Sequence, residues 1–367
     1  MKGGSKMKKV WSLFCAILMM GVIFCQPLAL AADTGDESRA IEIAKNWVKE
    51  NYEPFYNLQN LEANIVHTFS DGTTTEYTVA ITVETQIKAD SVYDLPYVQG
   101  LIDASEQQKG ENKITEDAVN DFVAQVDFSK EYTFMSLDLV IPINHGTRAK
   151  GDPDIYFQDG LTTTLHPVET LEMTPSSLYQ EGKDALAKIE EEYQRRVNTP
   201  VTLGYSSYDR IAARDYAQTW TGKNITDCYD DGTSCGILQD RTQWNNSEYP
   251  YNSNFKHNDC ADFVSQCICA GGIDPDPGMW ERNKDGDNGW AWTSISGLTD
   301  YMIEKGYFDE GEFETANAGN ILLTSPSHVV LITLNDTYTH RYTGHTNDRL
   351  DQVFYDSAGF SYYTIKT

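Results

Sequence analysis

The run Asn258-Asp259-Cys260-Ala261-Asp262-Phe263-Val264-Ser265-Gln266 places a thiol where a helix should begin. Asn258 and Asp259 are residue types whose side chains cap helix N-termini. Asp262, three residues past Asp259, is spaced to complete an acidic form of the capping box. A cysteine in the first turn meets free backbone N–H groups and the positive end of the helix dipole, and both favour thiolate over thiol. The same N–H groups can donate to the oxyanion that forms when a thiolate attacks a carbonyl. Cys260 is therefore the candidate nucleophile.

A nucleophilic cysteine needs a base. His328 heads the apolar run Val329-Val330-Leu331-Ile332, and a histidine at the start of a buried strand is held rigidly enough to face a helix N-terminus. A Cys–His pair raises the thiolate fraction and returns a proton to the leaving amine. A third polar group usually orients the imidazole. A hairpin turning at Asn335-Asp336-Thr337 would bring residues 342–346 back beside His328. His345 falls in that window and Asn347 lies just beyond it.

Other chemistry-bearing residues are weaker signals. Trp280, Trp290 and Trp292 suit either a substrate cleft or a core. Cys267 and Cys269 lie on the expected helix and read as core. Cys228 and Cys235 enclose a short glycine-containing loop, which allows a disulfide in an oxidising exterior. With His257 they lack an established zinc spacing. Asn283, Asp285 and Asp287 alternate oxygen ligands, but the glycine falls late and no Glu follows at the calcium-loop distance, so a solvated loop is expected. His67, His145 and His166 are isolated. The pattern calls for no cofactor and no metal.

The elements that must position these residues follow from periodicity. Residues 33–62 read as helical, with Ile41, Ala44, Trp47 and Val48 at helical spacing. Residues 63–90 read as strands, as do 121–128 and 132–143, with a polar stretch at 106–117. Residues 175–197 read as a charged helix with a thin apolar stripe at Leu178, Leu186, Ile189 and Tyr193. In the second half, helices are expected after Ser207, from Cys260 to about Ala270, and over 294–305. Strands are expected at 321–324, 328–334, 338–345 and 352–355. The layout is α+β: a small N-terminal α+β domain over 33–170, a helical connector over 171–205, and a second α+β domain over 206–367.

The chain has 367 residues, with 28 basic and 55 acidic side chains and a net charge of −27. That balance argues against nucleic acid as a partner. Lys2, Lys6, Lys8 and Lys9 precede an apolar run over residues 10–25, and Ala29-Leu30-Ala31 offers small residues for cleavage. Residues 1–31 therefore read as a signal peptide cleaved near Ala31, with membrane contact only during export. Seven cysteines are present. Cys15 and Cys25 fall in the leader, and the odd remainder leaves at least one free or intermolecular thiol.

The ordered set of motifs resembles one family. It comprises Tyr208-Asp209-Arg210-Ile211-Ala212-Ala213 through Trp220, Asp259 to Gln266 with Ala270-Gly271-Gly272-Ile273, and Trp292-Thr293. It continues through Ala318-Gly319-Asn320-Ile321 and His328-Val329 to Gly344-His345-Thr346-Asn347-Asp348-Arg349. Together these are similar to the bacterial putative amidase domain family, which is related to the NlpC/P60 peptidases and belongs to the papain-like group. The resemblance covers about 208–360. It implies a papain-like fold with a helix-borne cysteine packed on an antiparallel sheet. It also implies Cys260 as nucleophile, His328 as base and His345 as the third polar residue. Departures from the pattern are Ala261 and Asp262 for Thr and Asn, Asn320 for Asp, and Val330 for Gly. Asp262 adds an acid one turn from the thiol, which would raise its pKa. The expected activity is that of a secreted cysteine amidase or peptidase, free or wall-associated, acting on a peptide or peptidoglycan-like substrate. The alternatives are a non-catalytic wall-binding module and an acyl transferase.

Overall fold

The computed structural model describes residues 34–108, 113–145, 154–162, 164–171, 173–198, 208–222, 240–250, 259–282, 289–324 and 328–366. The proposed leader, the Cys228–Cys235 loop, His257 and the Asn283-Asp285-Asp287 loop lie outside these residues.

The chain opens with helix α1 (Thr34–Tyr52). Ala40, Ala44, Trp47, Val48 and Tyr52 recur on one face and are buried. The helix is shorter than the 33–62 expectation. Pro54 disfavours helical backbone at the residue before it, and strand β1 (Tyr56–Ser70) begins two residues later. Strand β2 (Thr74–Ile87) alternates without a break, with every second residue from Thr75 to Ile87 buried.

Helices α2 (Pro96–Gln107) and α3 (Lys113–Gln125) follow. The reading of 121–128 as a strand is corrected here, because residues 121–125 are the last turn of α3. Thr115, Ala118, Val119, Phe122 and Val123 are its buried residues, a spacing with the helical period that a window starting at 121 is too short to reveal. Strand β3 (Thr133–Asn144), the short strands β4 (Tyr156–Gln158) and β5 (His166–Pro167), and helix α4 (Pro175–Asn198) complete the first half.

The second half begins with helix α5 (Arg210–Thr219), capped by Asp209, whose side chain accepts from the N–H groups of Ile211 and Ala212. Helix α6 (Cys260–Ala270) is buried from Cys260 through Ile268. It ends where Gly272 takes a φ of 100°. Gly271 is needed for a different reason: a Cβ there would lie 2.2 Å from the ring of Tyr208. Helices α7 (Trp290–Thr293) and α8 (Ile295–Glu304) lead into strands β6 (Phe308–Gly311), β7 (Ile321–Thr324), β8 (His328–Asn335), β9 (His340–Gly344), β10 (Arg349–Phe354) and β11 (Phe360–Ile365).

Among the described residues the strands form one 11-stranded sheet, ordered β1-β2-β3-β10-β9-β8-β7-β11-β6, with β4 and β5 off this path. All its pairings are antiparallel except the contact of β3 with β10 at Ser136 and Gln352. That contact is where the two halves of the chain meet. The Ser136 hydroxyl bonds the Leu350 carbonyl at 2.7 Å and Gln352 Oε1 at 3.0 Å. Arg349 pairs with Asp138 at 3.2 Å.

Arg341, on β9, is wholly buried between the halves. Its guanidinium donates to the Phe134 carbonyl at 2.7 Å and to the hydroxyls of Thr133, Thr85 and Thr339. It also lies 3.7 Å from Asp336, whose carboxylate takes the Tyr56 hydroxyl at 2.7 Å. A buried charge is tolerated only when paired in this way. Arg341→Ala would leave Asp336 buried without its cation, so the expected cost is about 3–5 kcal/mol, read from urea unfolding. A loss under about 1 kcal/mol, the scale of a surface substitution, would show that Arg341 does not hold the halves together.

Candidate active site

Cys260 is the first residue of α6 and is 7% exposed. Its sulfur leans on β8, where the Val329 N–H donates toward it, joined by the Thr346 hydroxyl and the Ala261 N–H. Burial pushes the thiol above its ordinary pKa. These three hydrogen bonds oppose the rise, and the Asp259 carboxylate adds to it.

His328 heads β8, one residue before Val329, and is half-buried. It is not among the groups hydrogen-bonded to the sulfur. Its Nε2 lies over Gly344 on the neighbouring strand, 3.8 Å from where a Cβ would stand. The same Cβ would come within 2.7 Å of Val330 Cγ1, so Gly344 leaves the room that Val330 occupies. Burial, with Arg349 adding to it, pushes the imidazole down to about 4. At neutral pH the resting pair is therefore a thiol and a neutral imidazole.

His345 is placed behind Cys260. Its ring is stacked on Phe263 at 3.7 Å and on Trp244 at 4.3 Å. Nε2 lies 3.0 Å from the Trp220 carbonyl oxygen. A carbonyl only accepts, so Nε2 carries a proton. Nδ1 lies 2.8 Å from Asp259 Oδ2, and that contact needs a proton of its own. Burial pushes Asp259 up to about 7 and lowers His345. Both directions favour a neutral acid donating to a bare Nδ1. His345 thus bonds Asp259 and Trp220, and through Asp259 it reaches the residue next to Cys260.

Asp259 does not cap α6 with its side chain, so the expected capping box is corrected. Its carboxyl is taken by His345, while its backbone N–H donates to Thr346 Oγ1 at 3.2 Å. That bond leaves the Thr346 hydroxyl proton for the sulfur. Thr346 holds this position with a φ of 89°, a conformation strained for a β-branched residue.

Asp262 shares a hydrogen bond with the Asp259 carboxyl and has further partners. It pairs with Arg282, accepts from Trp292 Nε1 at 2.6 Å and accepts from Gln266 Nε2 at 3.2 Å. Burial, with the charge of Asp259 adding to it, raises its pKa to about 7. The acid that acts on the thiol is Asp259, not Asp262.

Trp280 and Trp292 are fully buried. Trp280 donates to the Ser265 hydroxyl at 3.1 Å, and the two indoles pack at 4.9 Å. Both are core, which corrects their candidacy for substrate binding. Trp290 is 62% exposed, and Asn347 is exposed beside the site. Cys267 is buried and Cys269 half-buried, both as free thiols. Among the described residues no group of three or more His, Cys, Asp or Glu is arranged to hold a metal ion.

Several residues of the site went unread in the sequence. Arg282 and Trp244 carry no local motif. Thr346 gives no signal, because a positive φ on threonine is against its type. Asp259 stands beside the nucleophile, but its composition reads as a cap.

Residues 207–366 match the putative amidase domain. The match falls on the segment whose motifs resemble that family, and it points to hydrolysis of amide bonds at a coarse level. No curated protein and no solved structure matches the chain.

The Thr346 hydroxyl stabilises the thiolate, so removing it should raise the thiol pKa. Thr346→Val is expected to slow iodoacetamide labelling of Cys260 at pH 7 by about tenfold, the worth of one hydrogen bond to a charged group, with the high-pH plateau unchanged. An unshifted pH profile would remove Thr346 from the site.

Proposed function

We propose that this protein is an exported cysteine amidase or peptidase that cleaves an amide bond through an acyl-thioester on Cys260. The observation that carries the reading is the position of the thiol: it begins a buried helix and rests on the backbone of Val329, next to His328. Both the helix start and the histidine at the strand head fit a papain-like arrangement.

In this reading substrate binding brings the carbonyl carbon to Sγ. His328 takes the thiol proton as the thiolate adds. N–H groups of the first turn of α6 donate to the developing oxyanion. The imidazolium then protonates the leaving amine, the C–N bond breaks and the thioester remains. Water, deprotonated by His328, hydrolyses it and restores the thiol. His345 acts through Asp259 and Thr346, holding the nucleophile's helix start.

The leader read at residues 1–31 supports export, and an exported amidase meets peptidoglycan peptides first. That substrate rests on family analogy. Full-length chain should release peptides or amines from purified wall fragments. Cys260→Ala should abolish the release, and His328→Asn should lower it by at least about 10², with both variants melting as the parent does. Undiminished release by Cys260→Ala would sink the assignment.

One observation favours a second reading. Burial raises the thiol pKa and lowers that of the imidazole, as in a binding module without turnover. Slow labelling of Cys260 up to high pH, together with intact binding to wall fragments, would favour the module. An added amine appearing in the product would point to acyl transfer.

A further inference from the structure

A cleft of about 500 Å³ lies at the far end of β8 from His328, between α4 and the turn that joins β8 to β9. Eight residues of strand separate the two ends, roughly 23 Å at the usual rise. The cleft is therefore separate from the cysteine site. Its volume is within the range of small-molecule sites.

Four buried polar atoms without partners belong to residues that line this cleft: Tyr97 OH, Thr337 Oγ1, His340 Nε2 and Glu314 Oε2. Tyr97 and Thr337 are more than nine-tenths buried. Unpaired buried groups are rare in folded proteins, and each calls for an explanation. Here they share one place.

The chemistry of these atoms is one-sided. The His340 ring donates to the Phe313 carbonyl. Nε2 has no partner, so Nδ1 makes that bond and Nε2 is a bare acceptor. Burial pushes the ring down to about 3, which keeps it neutral. Glu314 Oε2 also only accepts, while its Oε1 holds Lys188 at 2.6 Å. The two hydroxyls can donate or accept. No unpaired N–H donor is among the four. The lining carries four carboxylates, on Glu181, Asp184, Glu314 and Asp356, against the single cation of Lys188. An anionic ligand would find repulsion, with only the two hydroxyls to donate to it. A cation with N–H groups would find acceptors.

We propose that this cleft binds a small amphipathic primary amine. Its ammonium meets Glu314 and His340, and its hydrocarbon rests on Phe313, Tyr338 and Phe354. The unpaired atoms lie beneath the lining, closed to bulk water. Entry therefore requires the exposed ends of Glu314 and Lys188 to turn aside. Their side chains are 25% and 49% exposed, so that movement displaces no core packing.

The test is calorimetric titration of the full chain with hexylammonium, hexanoate and hexanol at equal ionic strength. Hexylammonium should bind at least about tenfold more tightly than the other two. Glu314→Gln and His340→Phe should each weaken it by about fivefold or more, with labelling of Cys260 unchanged. Glu314 is partly exposed, so its variant serves if His340→Phe melts early. Equal affinity for the three probes, no binding at millimolar hexylammonium, or binding that survives Glu314→Gln would overturn the proposal. Because Cys260 labelling is read separately, failure here is distinguishable from failure of the amidase reading.

Discussion

The 2.8 Å contact between Asp259 and His345 fixes where the helix of Cys260 begins. Asp259 would ordinarily turn its carboxyl onto the first N–H groups of α6. With that carboxyl held by His345, no side chain caps the first turn, and the Ala261 N–H is left to donate to the sulfur. The imidazole can do this because its other nitrogen is spent on the Trp220 carbonyl and its faces are filled by Phe263 and Trp244. No side chain in this set has room to change partner without leaving a buried polar group unpaired, which costs about 1–3 kcal/mol. The helix start is thus defined by polar satisfaction as much as by apolar packing.

The same constraint joins the halves of the chain. β10 and β3 touch through one parallel pairing, too little to unite two sheets by backbone bonds alone. Arg341 and Arg349 do the rest, each entering the other half's territory and finding carbonyls, hydroxyls and a carboxylate there. The first half therefore braces β9, which leads into His345 and pairs with the strand of His328, although it contributes no group to the thiol's surroundings among the described residues.

Much of this was legible in the sequence, for identifiable reasons. The strands at 321–324 and 328–334 and the helix from Cys260 were readable because each is a short apolar run with a clear boundary. The helix over 175–197 was readable because its stripe repeats for several turns. α3 was misread because Phe122, Val123 and Val126 were taken without the residues before them. The single sheet was not legible at all, since the pairing of β3 with β10 joins residues far apart in sequence. In the site, Cys260, His328 and His345 stood out as chemical types near element ends. Their partners did not, because a buried aspartate, a strained threonine and a stacked tryptophan acquire roles only through the fold.

The neutral resting pair has a mechanistic consequence. A preformed thiolate–imidazolium pair needs solvent or fixed charges to stabilise both ions, and here burial opposes both. Burial raises the Asp259 carboxyl to about 7, and its protonated form withholds the negative charge by which the carboxylate opposes the thiolate. In the proposed reaction, proton transfer then has to coincide with the substrate's arrival, when the developing oxyanion draws charge off the sulfur and the first-turn N–H groups gain an anion to bond. An enzyme built this way keeps its cysteine protonated, and so protected from oxidation, until a carbonyl is in place. For an exported thiol, as proposed, that protection would offset the slower activation of the sulfur.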